Sequence, residues 1–82
     1  MGKKKENPYK DIKLNKTQQR VFDYIMKNKS ITSIDAFVDL GETRLSARIY
    51  ELRRLGIPVS SQVIEVSNRF GEKRHVSKYY IG

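Results

Sequence analysis

The chain has no cysteine, and His75 is its single histidine. Neither a disulfide framework nor a thiolate metal site can be assembled from it, and one strand-borne histidine makes no credible Ser-His-Asp arrangement. His75 is therefore read as structural or solvent-facing. Asp35, Asp39 and Glu42 lie close in sequence but have no companion ligands, so helix-cap and surface roles suffice for them. A Gly-rich phosphate loop is missing too, because Gly41, Gly56 and Gly71 each close an element instead. No enzymatic activity, metal or cofactor is expected. Apolar runs are far shorter than the roughly 20 residues of a membrane span. The N-terminus is charged but has no apolar core of a secretory signal, and Glu6 stands where myristoylation at Gly2 wants Ser or Thr. A cytoplasmic protein is expected.

Acidic residues are scarce as well: nine, against seventeen lysines and arginines, for a net charge of +8. The excess is uneven. Residues 1–20 carry +5, 21–40 carry −1, and 41–60 and 61–82 carry +2 each. Separated basic segments of this kind are the footprint of a phosphate-binding protein, although a basic balance alone is also common in ribosomal and membrane-surface proteins. Eighty-two residues make one domain, which buries only about 60% of its unfolded surface and leaves no room for a large pocket.

The most informative stretch is Glu42 to Gly56, E-T-R-L-S-A-R-I-Y-E-L-R-R-L-G. Leu45, Ile49, Leu52 and Leu55 recur at helical spacing and form one apolar stripe. Thr43, Ala47, Tyr50 and Arg54 fall opposite the stripe, with Arg44 and Ser46 beside them. Small side chains at the centre of an outer face, with long donors at its edges, suit the floor of a DNA major groove. The alternative is the solvated face of a small basic protein.

The preceding chain supports the first reading. Residues 1–13 are lysine-rich and poor in apolar residues, and Asn7-Pro8 breaks any helix, so they are read as a flexible basic N-terminal arm. Lys3, Lys4 and Lys5 would lie along phosphates or in a minor groove, or simply serve as a solubilising tail. The folded domain is expected over residues 14–82. Asn15-Lys16-Thr17-Gln18 has the form of a capping box, opening a helix from Lys16 to about Asn28. Lys16 and Thr17 sit beside its unpaired backbone donors and are candidate phosphate contacts, or only a capped helix start. Ser30-Ile31-Thr32 can add a short strand to a sheet. Ser33 then caps a short helix, Ile34 to Leu40, with Ala36, Phe37 and Leu40 turned inward. Gly41 makes a tight turn, and Glu42 or Thr43 caps the next helix.

Gly56 and Ile57-Pro58 end that helix, and two β-rich runs follow, Val59 to Val66 and Arg74 to Ile81. The loop between them, Ser67 to Lys73, is longer than two residues. The order is helix, short strand, helix, turn, helix, hairpin. This is an α+β winged helix-turn-helix: three helices and a C-terminal β-hairpin wing. Val63 or Ile64, Val66, Tyr79 and Ile81 are expected inside. Phe70 is expected to pack under the hairpin, with a wedge at DNA as the other option.

The segment I-T-S-I-D-A-F-V-D-L-G-E-T-R-L-S-A-R-I-Y-E-L-R-R-L-G resembles the small winged helix-turn-helix proteins of phages and prophages. The resemblance spans roughly residues 14 to 81. Its most specific part is Arg44 to Ile49, joined by the glycine turn and by Asn68 to Lys73. It implies a double-stranded DNA-binding protein of a bacterial host's cytoplasm or nucleoid, serving transcription regulation or a DNA transaction such as excision or packaging. Glu42 departs from the pattern, which wants an apolar residue there and leaves the turn more exposed.

The expected division of labour follows from side-chain chemistry. Arg44 is a forked donor for guanine, Ala47 an apolar contact for thymine methyl, and Thr43, Ser46 and Tyr50 are adaptable partners. Arg48 is assigned to phosphate, with an ion pair to Glu51 or Asp39 as its alternative. Arg53 and Arg54 are read as charges favouring the helix C-terminus. In the wing, Arg69, Lys73 and Arg74 are spaced to reach phosphates, and Lys78 would join them from an exposed face. One winged helix covers few base pairs, so self-association or cooperative binding is expected. The alternative function is a protein-docking winged helix, with Ala47, Tyr50 and Phe70 as its apolar patch. RNA binding is a minor third, since the aromatics form no stacking platform.

Overall fold

The computed structural model describes Tyr9 and residues 11–81; Lys3, Lys4 and Lys5 lie outside the described residues. Helix α1 (Lys16–Asn28) opens with the expected capping box. Asn15 Oδ1 accepts from the Gln18 amide at 2.8 Å, and Gln18 Oε1 accepts from the Asn15 amide at 3.1 Å. It presents Val21, Phe22 and Ile25 to the core and closes at Lys29, a left-handed residue at φ 77° whose amide donates to Ile25. Strand β1 (Ile31–Thr32) follows.

The second helix is α2 (Ser33–Asp35) running directly into a π-helical segment (Ala36–Leu40). Thr32, not Ser33, is its cap, in a reciprocal box with Asp35. The π-helical turn corrects a second expectation. Ala36 is fully buried and Leu40 packs beside the core, but Phe37 is 62% exposed. In the widened turn Leu40, not Phe37, returns next to Ala36, and Phe37 joins Ile34 and Val38 on the outer side.

Gly41, at φ 67°, ends the segment and turns the chain into α3 (Leu45–Arg54). This helix starts at Leu45, later than a cap at Glu42 or Thr43 would place it. Neither Glu42 nor Thr43 caps it; Arg44 is the cap residue and its side chain makes no capping bond. Instead the Glu42 carboxylate accepts from the Arg44 amide at 2.8 Å and holds the turn, which explains a half-buried carboxylate where an apolar residue was expected. Leu45, Ile49 and Leu52 are buried, whereas Leu55 has left the helix and is exposed. At the far end the Ile57 amide donates to Leu52 and the Gly56 amide to Arg53, both at 3.1 Å. This paired closure needs a left-handed residue, and Gly56 at φ 100° supplies it without a Cβ penalty.

Strands β2 (Val59–Ser67) and β3 (Lys73–Ile81) pair antiparallel, and β1 adds to β3's other side, giving the order β1-β3-β2. Ile31 lies opposite Tyr79, Val59 opposite Ile81, and Ile64 opposite Val76. Because side chains alternate along a strand, Val59, Tyr79 and Ile81 share the core face, while Ile64, Val66 and Val76 share the other. The inside set expected from sequence therefore mixed two faces. Val63 has the core-side parity but lies beyond the core's reach and is 66% exposed.

The core gathers Val21, Phe22, Ile25, Ile31, Ala36, Leu45, Ile49, Leu52, Ile57 and Val59, and β3 adds only the partly buried Tyr79 and Ile81 at its edge. Each large aliphatic or aromatic member contributes about 1.5–3 kcal/mol by burial. Tyr9 and Ile12, assigned from sequence to the arm, pack against it; the Tyr9 ring meets Phe22 edge-on at 6.1 Å. Among the described residues no helix is long and apolar enough to cross a membrane.

Candidate nucleic-acid interface

Helix α3 is held by its buried stripe and by two braces. On one flank Arg48 pairs with Glu51 at 2.9 Å, and Glu51 also accepts from Gln18 Nε2 at 2.9 Å, tying α3 to the first turn of α1. At the C-terminal end Arg53 Nε donates to the Val59 carbonyl at 2.9 Å, fixing the helix to β2. What remains free is an arc of exposed Ser46, Tyr50 and Arg54, edged by half-buried Ala47. Arg54 lies along Tyr50, its guanidinium 5.7 Å from the ring centroid and within 3.1 Å of the phenol oxygen.

The helix's N-terminal end opens onto a shallow groove. Thr43, Arg44 and Ser46 line it from the turn and α3, His75, Ser77 and Tyr79 from β3, and Ser33 from the second helix. The wing thus stands beside the start of α3. Its tip is closed by Asn68, whose Oδ1 accepts from the amides of Phe70 (2.9 Å) and Glu72 (3.0 Å) and whose Nδ2 donates to the Glu72 carboxylate at 2.9 Å. Arg69, Lys73 and Arg74 are exposed around this tip, and so is Phe70, at 79%. Phe70 does not pack under the hairpin, because the five-residue loop bonds to itself and carries its ring clear of the strands.

The five sequence-derived base-reading candidates therefore lie on one side of α3 or at its N-terminus: Thr43, Arg44, Ser46, Ala47 and Tyr50. Lys16 is exposed and Thr17 half-buried in the first turn of α1, which Gln18 joins to α3. Arg48 is the exception among the phosphate candidates. Its guanidinium is engaged by Glu51, and its Nε is buried without a hydrogen-bond partner among the described residues. Lys78 is half-buried and lies on the strand face opposite His75.

Two residues that sequence reasoning assigned elsewhere share the candidate interface. Arg54, read as a helix-end charge, shares the exposed arc with Tyr50; their four-residue spacing was the available signal. His75 lines the groove. It has the parity of Tyr79 and Ile81, so a strand whose inward face was known would have carried His75 to the same side.

Two helices joined by a glycine turn, followed by a hairpin standing beside the second of them, define a winged helix-turn-helix, a typically non-enzymatic DNA-binding architecture. The family model described as a winged helix-turn-helix domain matches residues 16–82, and the chain belongs to that family. No curated protein and no solved structure matches it.

Proposed function

We propose that the protein binds double-stranded DNA, with α3 in the major groove and the wing on the neighbouring backbone or minor groove. The observation that carries this reading is that β3 of the wing lines one groove with Thr43, Arg44 and Ser46 at the start of α3, while the wing's exposed cations continue from the same strand. Arg44 supplies forked donors to base edges, Ala47 allows close approach of the helix, and Thr43, Ser46 and Tyr50 adjust to the sequence. Lys16 and Thr17 at the head of α1, with Arg69, Lys73 and Arg74 in the wing, hold phosphates and set the register. Arg48 acts through Glu51 as a brace rather than as a clamp. Lys3, Lys4 and Lys5 extend the phosphate-binding track as an arm.

The biological setting that fits the resemblance is regulation of transcription, or an accessory role in excision or packaging, in a phage or prophage within the bacterial cytoplasm. Since one module reads few base pairs, two or more copies bind together or in tandem. Selecting bound duplexes from a random pool tests the division of roles. Arg44→Ala should relax the selected sequence, each lost base contact being worth about 1–3 kcal/mol of discrimination. Arg69→Ala should weaken binding evenly across sequences. Equal behaviour of the two variants contradicts the assignment.

A second reading, a protein-docking winged helix, is favoured by one observation: Ile34, Phe37 and Val38 are all exposed on the second helix. Chemical-shift mapping with duplex DNA separates the readings. Shifts on residues 44–50 support DNA reading, and shifts confined to the lysine arm support docking.

A further inference from the structure

We propose that Phe70 is a DNA wedge, entering the minor groove and parting a base step so that the duplex kinks. The inference rests on the DNA-binding reading above. Phe70 is the most exposed of the large hydrophobic residues among those described. The others are spread over the helices, the turn after α3, and β2, but Phe70 stands at a hairpin tip with Arg69, Lys73 and Arg74 around it. A bare aromatic ring among cations gains nothing from solvent. Against a duplex the same group has two complementary partners, the phosphates for its neighbours and the base faces for its ring.

The tip is also built to bear load. Asn68 takes three side-chain hydrogen bonds within the loop, its amide donates to the Glu72 carbonyl at 2.9 Å, and Gly71 at φ 79° donates to the Asn68 carbonyl at 3.0 Å. The one carboxylate of the tip, Glu72, is drawn onto Asn68 Nδ2 and away from an approaching phosphate. The ring is therefore presented on a fixed loop, and little order remains to be gained on insertion. Beyond the strand segment that β1 supports, β2 and β3 continue as a two-stranded ribbon. Five residues of ribbon, Val63 to Ser67, extend roughly 15 Å at strand rise, enough to carry the tip from the body of the domain into a groove.

The absence of tryptophan from the chain makes Phe70→Trp a clean reporter, with a single indole at the wing tip. The full chain is titrated with an end-labelled duplex of about 25 base pairs of alternating T and A, in which every second step is an easily parted TA step. The wedge predicts that the indole's emission is quenched on binding and that the indole loses its access to acrylamide. It also predicts that the duplex ends draw together by energy transfer with the native chain, and that Phe70→Ala abolishes this while leaving the salt dependence of binding unchanged. A bound complex in which the indole remains open to acrylamide overturns the wedge and leaves DNA binding standing. A shielded indole with an undiminished bend in Phe70→Ala does the same, placing the ring in the groove but not between bases. An indole already shielded in the free protein overturns it in favour of a contact between copies. No salt-dependent binding by the native chain overturns both readings.

Discussion

At Tyr24 a half-buried phenol donates to Asp39 Oδ2 at 2.6 Å, locking the second helix against α1. That hydrogen bond to a carboxylate, then desolvation and the charges of Asp35 and Asp39, push its pKa from 10.0 up to about 12. The folded value lies above the unfolded one, so the bond's contribution is complete below pH 10 and fades as pH rises through 12. An ultraviolet titration should therefore show one of the five tyrosines ionising near 12, and Tyr24→Phe should remove that step. Loss of a step near 10 instead would show that the Asp39 bond is not formed. The arginines of α3 divide by the same kind of detail. Arg53 is spent on the Val59 carbonyl and Arg48 on Glu51, whereas Arg44 and Arg54 are exposed, Arg54 alongside Tyr50. The loss of sequence preference predicted for Arg44→Ala belongs to this scale.

Among the elements, the wing depends most on one side chain. Asn68→Ala removes three hydrogen bonds from a loop outside the core. The expected cost is about 1 kcal/mol, because the freed amides are exposed to water. Hydrogen exchange should accelerate at the Phe70 and Glu72 amides, while the helical circular dichroism stays unchanged and duplex affinity falls. A global loss of helix would contradict a wing that stands apart from the core. Elements governed by local chemistry were legible in the sequence: α1 through Asn15 and Gln18, the stripe of Leu45, Ile49 and Leu52, and the stop at Gly56. Elements governed by competition were not. The second helix had two adjacent cap residues, Thr32 and Ser33, and its π-helical turn exposed Phe37 against the helical pattern. The wing carries apolar residues on both faces, so Val63, Ile64 and Val66 gave no single parity, and only pairing with β1 through Ile31 and Tyr79 sets the inward side. For the same reason His75 was not placed in the groove beside Arg44.

Taken whole, the chain carries its excess positive charge in three separate segments around a small core. The segment from 21 to 40 is net acidic, and its three carboxylates are already engaged, Asp23 by Gln19, Asp35 by the Thr32 cap and Asp39 by Tyr24. The excess of cations over acids falls in the N-terminal twenty residues, in α3 and its flanks, and in the wing. Such a distribution makes association with a polyanion depend on release of its counterions, and that dependence is measurable without knowing the preferred sequence. The decisive experiment is a mobility-shift titration of the full chain on duplex DNA across a range of salt concentrations. With about five phosphates neutralised, the slope of log K against log salt should lie near −4.5. A slope near zero would contradict double-stranded DNA binding by this winged helix.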